Sequence, residues 1–303
     1  MYISPHKVLR TFNYLPNDSL YIDMINAKNI WKTGNCGEGN VVAILDTGID
    51  TYHENLRENI IDGYNFTSED QGNPSIYEDY NGHGTHVAGI IIGADKKGIV
   101  GVAPKSKALV LKVLNSQGNG DYETIIRALK YAVNWKGRNG ERVTVINLSL
   151  GGNEHSEPLY KTIKEIRDSG IVIVAAAGNS GDGDSQTIEK TYPSYYHEVI
   201  SIGAVNSDLE PSFFSVTNLN INFVAPGENI LSTHLNNEYA RLSGTSMAAP
   251  FVSGAVALIL NMIEIEHSDL KQDRVRLYLR QHIKELNYPI SQVGDGFIQL
   301  VNK

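Results

Sequence analysis

One cysteine in 303 residues, Cys36, excludes an intrachain disulfide framework. An excess of positive charge is missing as well. Lys and Arg number 26 against 34 Asp and Glu, a formal net charge of −8 with no basic cluster, so the chain is a poor binder of phosphate backbones and nucleic acid is not expected as a partner. Long apolar runs are also absent. The longest, Ile171 to Ala177 and Ala255 to Leu260, are far short of the ~20 residues that span a bilayer, and no membrane partner is expected. Met1 to Leu20 holds His6, Lys7, Arg10, Asn13, Asn17 and Asp18, with neither a continuous apolar core nor a small-residue cleavage site. It does not read as a secretory signal, and with a single thiol the simplest expectation is a reducing cytoplasm. What the chain has is apolar content: 41% hydrophobic residues can bury enough surface to exclude disorder, and the length admits one large α/β domain or two smaller ones.

Uniformly apolar runs at Val41–Leu45, Ala108–Val113, Val143–Leu148, Ile171–Ala177 and Val199–Val205 predict strands covered on both faces, as in a parallel sheet. Between them, apolar residues recur at helical spacing. Ile125, Ile126, Leu129, Ala132 and Val133 share one stripe; Leu159, Ile163 and Ile166 make another, with Lys161, Lys164 and Glu165 outward. This alternation predicts a doubly wound α/β sheet, mostly parallel, with helices on both faces. There is no repeat, low-complexity linker or composition break, so one domain is expected.

Three segments place a reactive side chain among small residues. Leu45-Asp46-Thr47-Gly48 puts a carboxylate at the carboxyl end of a buried strand, where sites form in open α/β sheets, although Asp-Thr-Gly alone is equally a turn. Aspartic proteases need two such carboxylates sharing a proton, and there is one Asp-Thr-Gly here. Asn81-Gly82-His83-Gly84-Thr85-His86-Val87-Ala88-Gly89 sets His83 at the start of a buried helix, its flanking glycines allowing close backbone approach. His86 reads as a satisfied buried imidazole, and no third ligand at a recognisable spacing supports a zinc pair. Ser243-Gly244-Thr245-Ser246-Met247-Ala248-Ala249-Pro250 opens an apolar helix. A Ser there is commonly an N-cap, but small neighbours leave Ser246 open to a substrate carbonyl, and the helix N-terminus favours a negative oxygen beside it. A fourth segment, Ala175-Ala176-Ala177-Gly178-Asn179, ends a strand with an amide that can donate to such an oxygen or simply sit in a turn.

The order Asp46, His83, Ser246 with Asn179 resembles the subtilisins, the S8 serine peptidases. The resemblance extends over Val41–Asp50, Asn81–Gly89, Gly101-Val102-Ala103-Pro104, Lys112-Val113-Leu114, Ile146–Gly152, Ala175–Asn179, Val224–Gly227 and Gly244–Pro250, nearly the whole chain in the family's order. It implies a subtilisin-like peptidase domain and a serine endopeptidase acting on peptides or proteins. Ser246 would be the nucleophile, His83 the general base and then acid, and Asp46 its orienting carboxylate. The Asn179 amide and Ser246 N–H would bind the oxyanion, assisted by Thr245. Ser149-Leu150-Gly151 and the Gly118-Asn119-Gly120 stretch would be the backbone edges between which substrate lies as an added strand, implying broad specificity. Leu114, Tyr122, Ile125 and Leu150 resemble a distal hydrophobic pocket, and Ala176 and Gly178 would line the primary pocket; ordinary core packing is the alternative for these apolar residues, Ile125 above all.

The amino-terminal arm resembles that of intracellular subtilisins, with Ile3-Ser4-Pro5-His6 where a short inhibitory element is expected. The expected organisation is therefore a removable arm over residues 1–18, making a zymogen, before a single peptidase domain over residues 19–303. Calcium is not required by the chemistry. The family's structural sites look weakened: Asn55 stands where an Asp is usual, the loop Ala94-Asp95-Lys96-Lys97-Gly98 is short and carries two lysines, and Asn220 and Asn222 replace an acidic residue at a second site. Phe251 replaces a usual His after Ala-Ala-Pro. Gly181-Asp182-Gly183-Asp184, with Glu189, should border the primary pocket and favour basic substrate residues, bind a cation, or form a solvated turn. The competing readings are a catalytically silent subtilisin-like scaffold and a processing protease with one substrate. Oligomeric state stays open.

Overall fold

The computed structural model describes residues 11–12, 20–96, 98–264 and 271–301. In chain order the described strands and helices begin with β1 (Thr11–Phe12), α1 (Leu20–Met24), α2 (Ala27–Ile30), β2 (Val41–Asp46), β3 (Ile60–Asn65), α3 (His83–Ile92) and β4 (Lys107–Lys112). They continue with α4 (Tyr122–Asn134), β5 (Val143–Leu148), α5 (Glu157–Asp168), β6 (Val172–Ala176), β7 (Ile200–Val205), β8 (Phe223–Pro226), β9 (Ile230–His234) and β10 (Glu238–Leu242). The last are α6 (Thr245–Ile259), α7 (Lys271–Gln281), β11 (Ile283–Lys284), α8 (Ile290–Val293) and β12 (Phe297–Ile298).

The five apolar runs form β2, β4, β5, β6 and β7, which lie side by side in a nine-stranded sheet of order β11-β12-β8-β7-β6-β5-β2-β4-β3. Every pairing in it is parallel except β11 with β12. Alternate residues of each strand serve opposite faces. Val42 and Ile44 pack with Ala108, Val110 and the helices α3 and α6; Val41, Ala43 and Leu45 pack with Leu109, Leu111 and the helices α4 and α5. Two buried layers explain why these strands are apolar throughout.

The helices α4 and α5 start where a side chain caps them. Asp121 accepts from Thr124 N at 2.7 Å to open α4, and Ser156 accepts from Leu159 N at 3.4 Å to open α5. Such caps contribute about 1 kcal/mol each. The α3 connection from β3 to β4 and the α4 connection from β4 to β5 step the same way along the sheet but cover opposite faces. They therefore have opposite hands, and one of them is the uncommon left-handed crossover. The consequence is functional: α3 lands on the same face as α6, so His83 and Ser246 share a side of the sheet.

A second sheet of order β1-β10-β9 is antiparallel, with Thr11 opposite Ala240 and Phe12 opposite Tyr239. The expected arm over 1–18 lies otherwise outside the described residues, as does Lys97. Among the described residues, no helix is long and apolar enough to cross a membrane.

Candidate active site

Asp46 is the last residue of β2, at the carboxyl edge where the chain, having built β3 and β4 on one side, turns to build β5 on the other. Crevices form at that edge because loops diverge there. Its Oδ1 accepts from Thr47 N at 2.7 Å and lies 2.7 Å from His83 Nδ1, both side chains being 1% exposed. With an ionised carboxylate as partner, Nδ1 is the protonated ring nitrogen, which leaves Nε2 as the basic one.

The glycines around His83 are a steric requirement. A Cβ on Gly84 would stand 2.2 Å from Gly48 O, so only glycine lets α3 approach the Asp46 turn this closely. Gly82 has φ +100°, and a Cβ there would strike the His234 ring at 2.4 Å. Asp79 holds the entry to α3. Its Oδ1 accepts from Asn81 N, Gly82 N and Thr47 Oγ1, and its Oδ2 from Thr85 N and Oγ1, at 2.7–2.9 Å. Burial alone would raise the Asp79 pKa, but the donors, Gly82 N–H and Thr85 foremost, outweigh it and hold the carboxyl below its ordinary range.

Ser246 is the second residue of α6, so its N–H belongs to the first turn and has no intrahelical acceptor. Its Oγ donates to Ser149 O at 3.1 Å. Pro250, four residues on, has no N–H to give to the Ser246 carbonyl, which instead accepts from Ser149 Oγ at 2.9 Å. Behind Ser149, Asn147 Nδ2 donates to Ser149 Oγ and Ser253 Oγ donates to Asn147 Oδ1, fastening α6 to β5. Asn179 follows β6. Its Oδ1 accepts from Thr245 N and Thr245 Oγ1, both at 2.8 Å, while Thr245 Oγ1 accepts from Gly178 N at 3.1 Å. With its oxygen pinned, the carboxamide keeps both N–H bonds at the Gly244 end of the site.

The remaining expected residues flank this centre. Leu114 and Leu150 are buried in the α4–α5 core layer, and Ile125 is wholly core there. Tyr122, half-buried at the start of α4, donates through its hydroxyl to Glu154 O at 2.5 Å, bridging the 118–122 and 149–154 edges. Gly118 and Gly120 bound a turn closed by Asn115 N to Asn119 O. Ala176 is buried at the end of β6. Gly151 and Gly178 face each other across Thr191, which the sequence reading missed: a Cβ on either glycine would meet the Thr191 side chain at 2.3 Å. Thr191 sits outside every motif quoted, and no spacing signals it. Asp79, Thr85, Asn147 and Ser253 were missed as supporting groups although most lie within or beside the motifs.

His86 is buried, and its Nε2–H is shared between Ile230 O and Ala240 O at 3.0 and 3.1 Å. Its Nδ1 has no partner among the described residues, so the imidazole is satisfied on one nitrogen only. Desolvation, with His234 nearby, drives its pKa well below the usual histidine value. In the acidic loop, Glu189 accepts from Thr217 N and Thr217 Oγ1, Asp182 from Asp184 N and Thr187 Oγ1, and Asp184 from Gln186 N. Asp182 and Asp184 brace their own turn, and Glu189 ties that turn to Thr217. Phe251 is buried near the Tyr21 ring, their centroids 6.4 Å apart. Among the described residues, no group of three or more His, Cys, Asp or Glu is placed to hold a metal ion.

Compared with known proteins, residues 37–296 match the family model described as the subtilase family, peptidase S8. The chain is 42% identical over 302 residues to an intracellular serine protease of Paenibacillus polymyxa, covering 99% of this chain and 90% of that one. It is 43% identical over 303 residues to the major intracellular serine protease of Bacillus subtilis (strain 168), covering 96% and 93%. Subtilisin DY of Bacillus licheniformis is 39% identical over 277 residues, 91% of this chain and 92% of its own.

Proposed function

The chain belongs to the subtilase family and is a serine endopeptidase of the intracellular subtilisin-like branch, and from that premise we propose that it cleaves peptide bonds through an acyl-enzyme on Ser246. The observation that carries this reading is the buried 2.7 Å contact between Asp46 Oδ1 and His83 Nδ1, on the sheet face that also carries Ser246. His83 takes the Ser246 proton as Oγ attacks the scissile carbonyl, and Asp46 stabilises the imidazolium that results. The tetrahedral oxyanion accepts from Ser246 N–H and Asn179 Nδ2. His83 then protonates the leaving amine, and a water activated by the same nitrogen releases the acid. Substrate pairs as a strand with the edges at Gly118–Gly120 and Ser149–Gly151; Tyr122 and Leu150 take a distal apolar side chain, and Leu114, as buried as Ile125, belongs to the core. Ala176, Gly178 and Thr191 shape the primary pocket, and recognition of main chain makes specificity broad.

Incubation with a fluorophosphonate probe tests the centre. The native protein should be labelled and Ser246→Ala should not; labelling that survives Ser246→Ala would reject the assignment.

The relatives' names place them inside the cell, and we extend that location to this chain. The arm over 1–18 is proposed to inhibit until removed. In support, Thr11 and Phe12 pair with β10, whose end at Leu242 leads directly into the Ser246 segment. Protein starting at Ser19 should turn over a chromogenic peptide faster than full-length protein; equal rates would remove the arm from regulation.

Calcium in the 94–99 loop is disfavoured. Asn55 Nδ2 donates to Ile99 O at 2.8 Å and Asn55 Oδ1 accepts from Lys96 N at 2.8 Å, while the Lys96 ammonium pairs with Glu58. An amide N–H aimed at the carbonyl and an ammonium alongside do not suit a hard divalent cation, which requires oxygen donors. At the second site Asn220 Nδ2 donates to Tyr195 O, and Asn222 Oδ1 accepts from Ser201 N.

A further inference from the structure

Lys112 is a buried cation that the mechanism above does not use. It ends β4, and its side chain is wholly inaccessible to solvent. In the β2–β4 register it stands directly opposite Asp46, and in-register residues of parallel strands point to the same face. The ammonium makes three contacts. It donates to Thr47 O at 2.6 Å, pairs with Glu69 Oε2 at 2.9 Å, and lies 5.1 Å from the centroid of the Tyr80 ring. Each partner belongs to a different part of the site. Thr47 is the residue whose N–H binds Asp46 Oδ1 and whose hydroxyl binds Asp79 and Gly84 N. Tyr80 leads from Asp79 to His83. Glu69 Oε1 accepts from Ser116 N at 2.8 Å, and Ser116 O accepts from Asn81 Nδ2 at 2.9 Å, in the stretch that runs into the substrate edge at Gly118.

A lysine removed from water loses solvation that only close partners offset, so packing alone does not account for one here. Asp46 Oδ2 is buried without a hydrogen-bond donor among the described residues, so the carboxylate is held through Oδ1 alone, by Thr47 N and His83 Nδ1. We propose that Lys112 is a positioning residue for catalysis: by holding the Thr47 carbonyl and Glu69 together it keeps the Asp46–His83 pair in register with the substrate edge at Ser116. It touches neither substrate nor the reacting atoms; it acts through Thr47 on Asp46 and through Glu69 on the edge.

This rests on the triad assigned above, and the test separates the two. In the double variant Lys112→Met/Glu69→Gln both charges go together, so no unpaired charge is buried. Its urea midpoint should stay near that of the wild type, while kcat falls between about tenfold and a hundredfold and KM changes less, because a small misplacement of the base reduces turnover more than binding. The low-field proton resonance of His83 Nδ1–H should shift or broaden. A stable double variant with kcat and KM unchanged, or with KM alone changed, would overturn the proposal. If the double variant does not fold, Glu69→Asp alone decides: it keeps a carboxylate for the ammonium but is one methylene too short to hold Lys112 and Ser116 N together, so kcat should fall with KM changing less, and unchanged kcat and KM would overturn the proposal. Ser246→Ala labelled in parallel reports on the triad whatever Lys112 does.

Discussion

At the scale of single residues, the site is made of ordinary side chains whose partners differ. His83 and His86 lie three apart on α3, yet one faces a carboxylate and the other two main-chain carbonyls. Asn179 and Asn55 are both amides, but the Asn179 oxygen accepts two hydrogen bonds from Thr245 beside Ser246, while the buried Asn55 oxygen accepts one, from Lys96 N. Thr245 makes Asn179 specific: its N–H and hydroxyl both bind Oδ1, which orients Nδ2 as a donor before substrate arrives. Preorganised donors of this kind are worth about 100–1,000-fold in turnover. Asn179→Ala should therefore lower kcat on a chromogenic peptide by about that factor with little change in KM. Thr245→Val keeps the N–H bond, removes the hydroxyl, and should cost less, on the order of tenfold, since the amide is loosened rather than lost. An Asn179→Ala enzyme within a few-fold of wild type would remove the amide from the oxyanion site.

At the scale of elements, legibility followed burial. Strands covered on both faces are apolar without interruption, so β2, β4, β5, β6 and β7 were readable to within a residue or two. The edge strand β3 reads Ile-Ile-Asp-Gly-Tyr-Asn, half-buried with a register shift near Ile60–Asp62, and carries no such signature. β11 and β12 are two residues each and held by pairing rather than pattern. The residues proposed as catalytic were conspicuous in the sequence because the local geometry demands unusual company: glycines at 82 and 84, proline four after Ser246. Thr191 was not, because a threonine touching two glycines from a distant loop has no local signature. The 94–99 loop gives the prediction of this scale. Its cross-link is the Asn55 amide, so chelation should leave it intact. EDTA should not shift the unfolding midpoint of Ser246→Ala protein, a background free of self-digestion. Asn55→Asp places a carboxylate against Ile99 O, where a cation would be needed between them. That variant should be less stable in EDTA and recover with added calcium. A wild-type loop that loosens in EDTA by hydrogen exchange would contradict the reading.

At the scale of the whole molecule, the buried polar groups decide how the fold answers acid, and the signs can be worked out. Asp79 has its pKa depressed in the folded state, so its contribution is complete above the unfolded value near 4 and is lost only as pH falls through a lower folded value. His86 acts earlier. Desolvation in the folded state, aided by His234, disfavours its charged form, and His234 is lowered too, by burial. The unfolded chain binds these protons near the ordinary histidine value while the folded chain does not, so stability is whole above about pH 6.5 and declines below it. A buried histidine kept neutral contributes a slope of up to about 1.4 kcal/mol per pH unit. Those histidines join α3 to the β9–β10 hairpin, through His86 to Ile230 and Ala240 and through Gly82 to the His234 ring. The same hairpin receives β1 and leads into Ser246, so acid should loosen the face that carries the site before the α4–α5 layer. Urea midpoints of Ser246→Ala protein should fall between pH 7 and pH 5, with hydrogen exchange rising first in β9, β10 and the amino end of α3. In His86→Gln, whose amide N–H reaches toward the same carbonyls without titrating, the decline should be shallower. An equal slope in both proteins would show that His86 takes no part in the acid response.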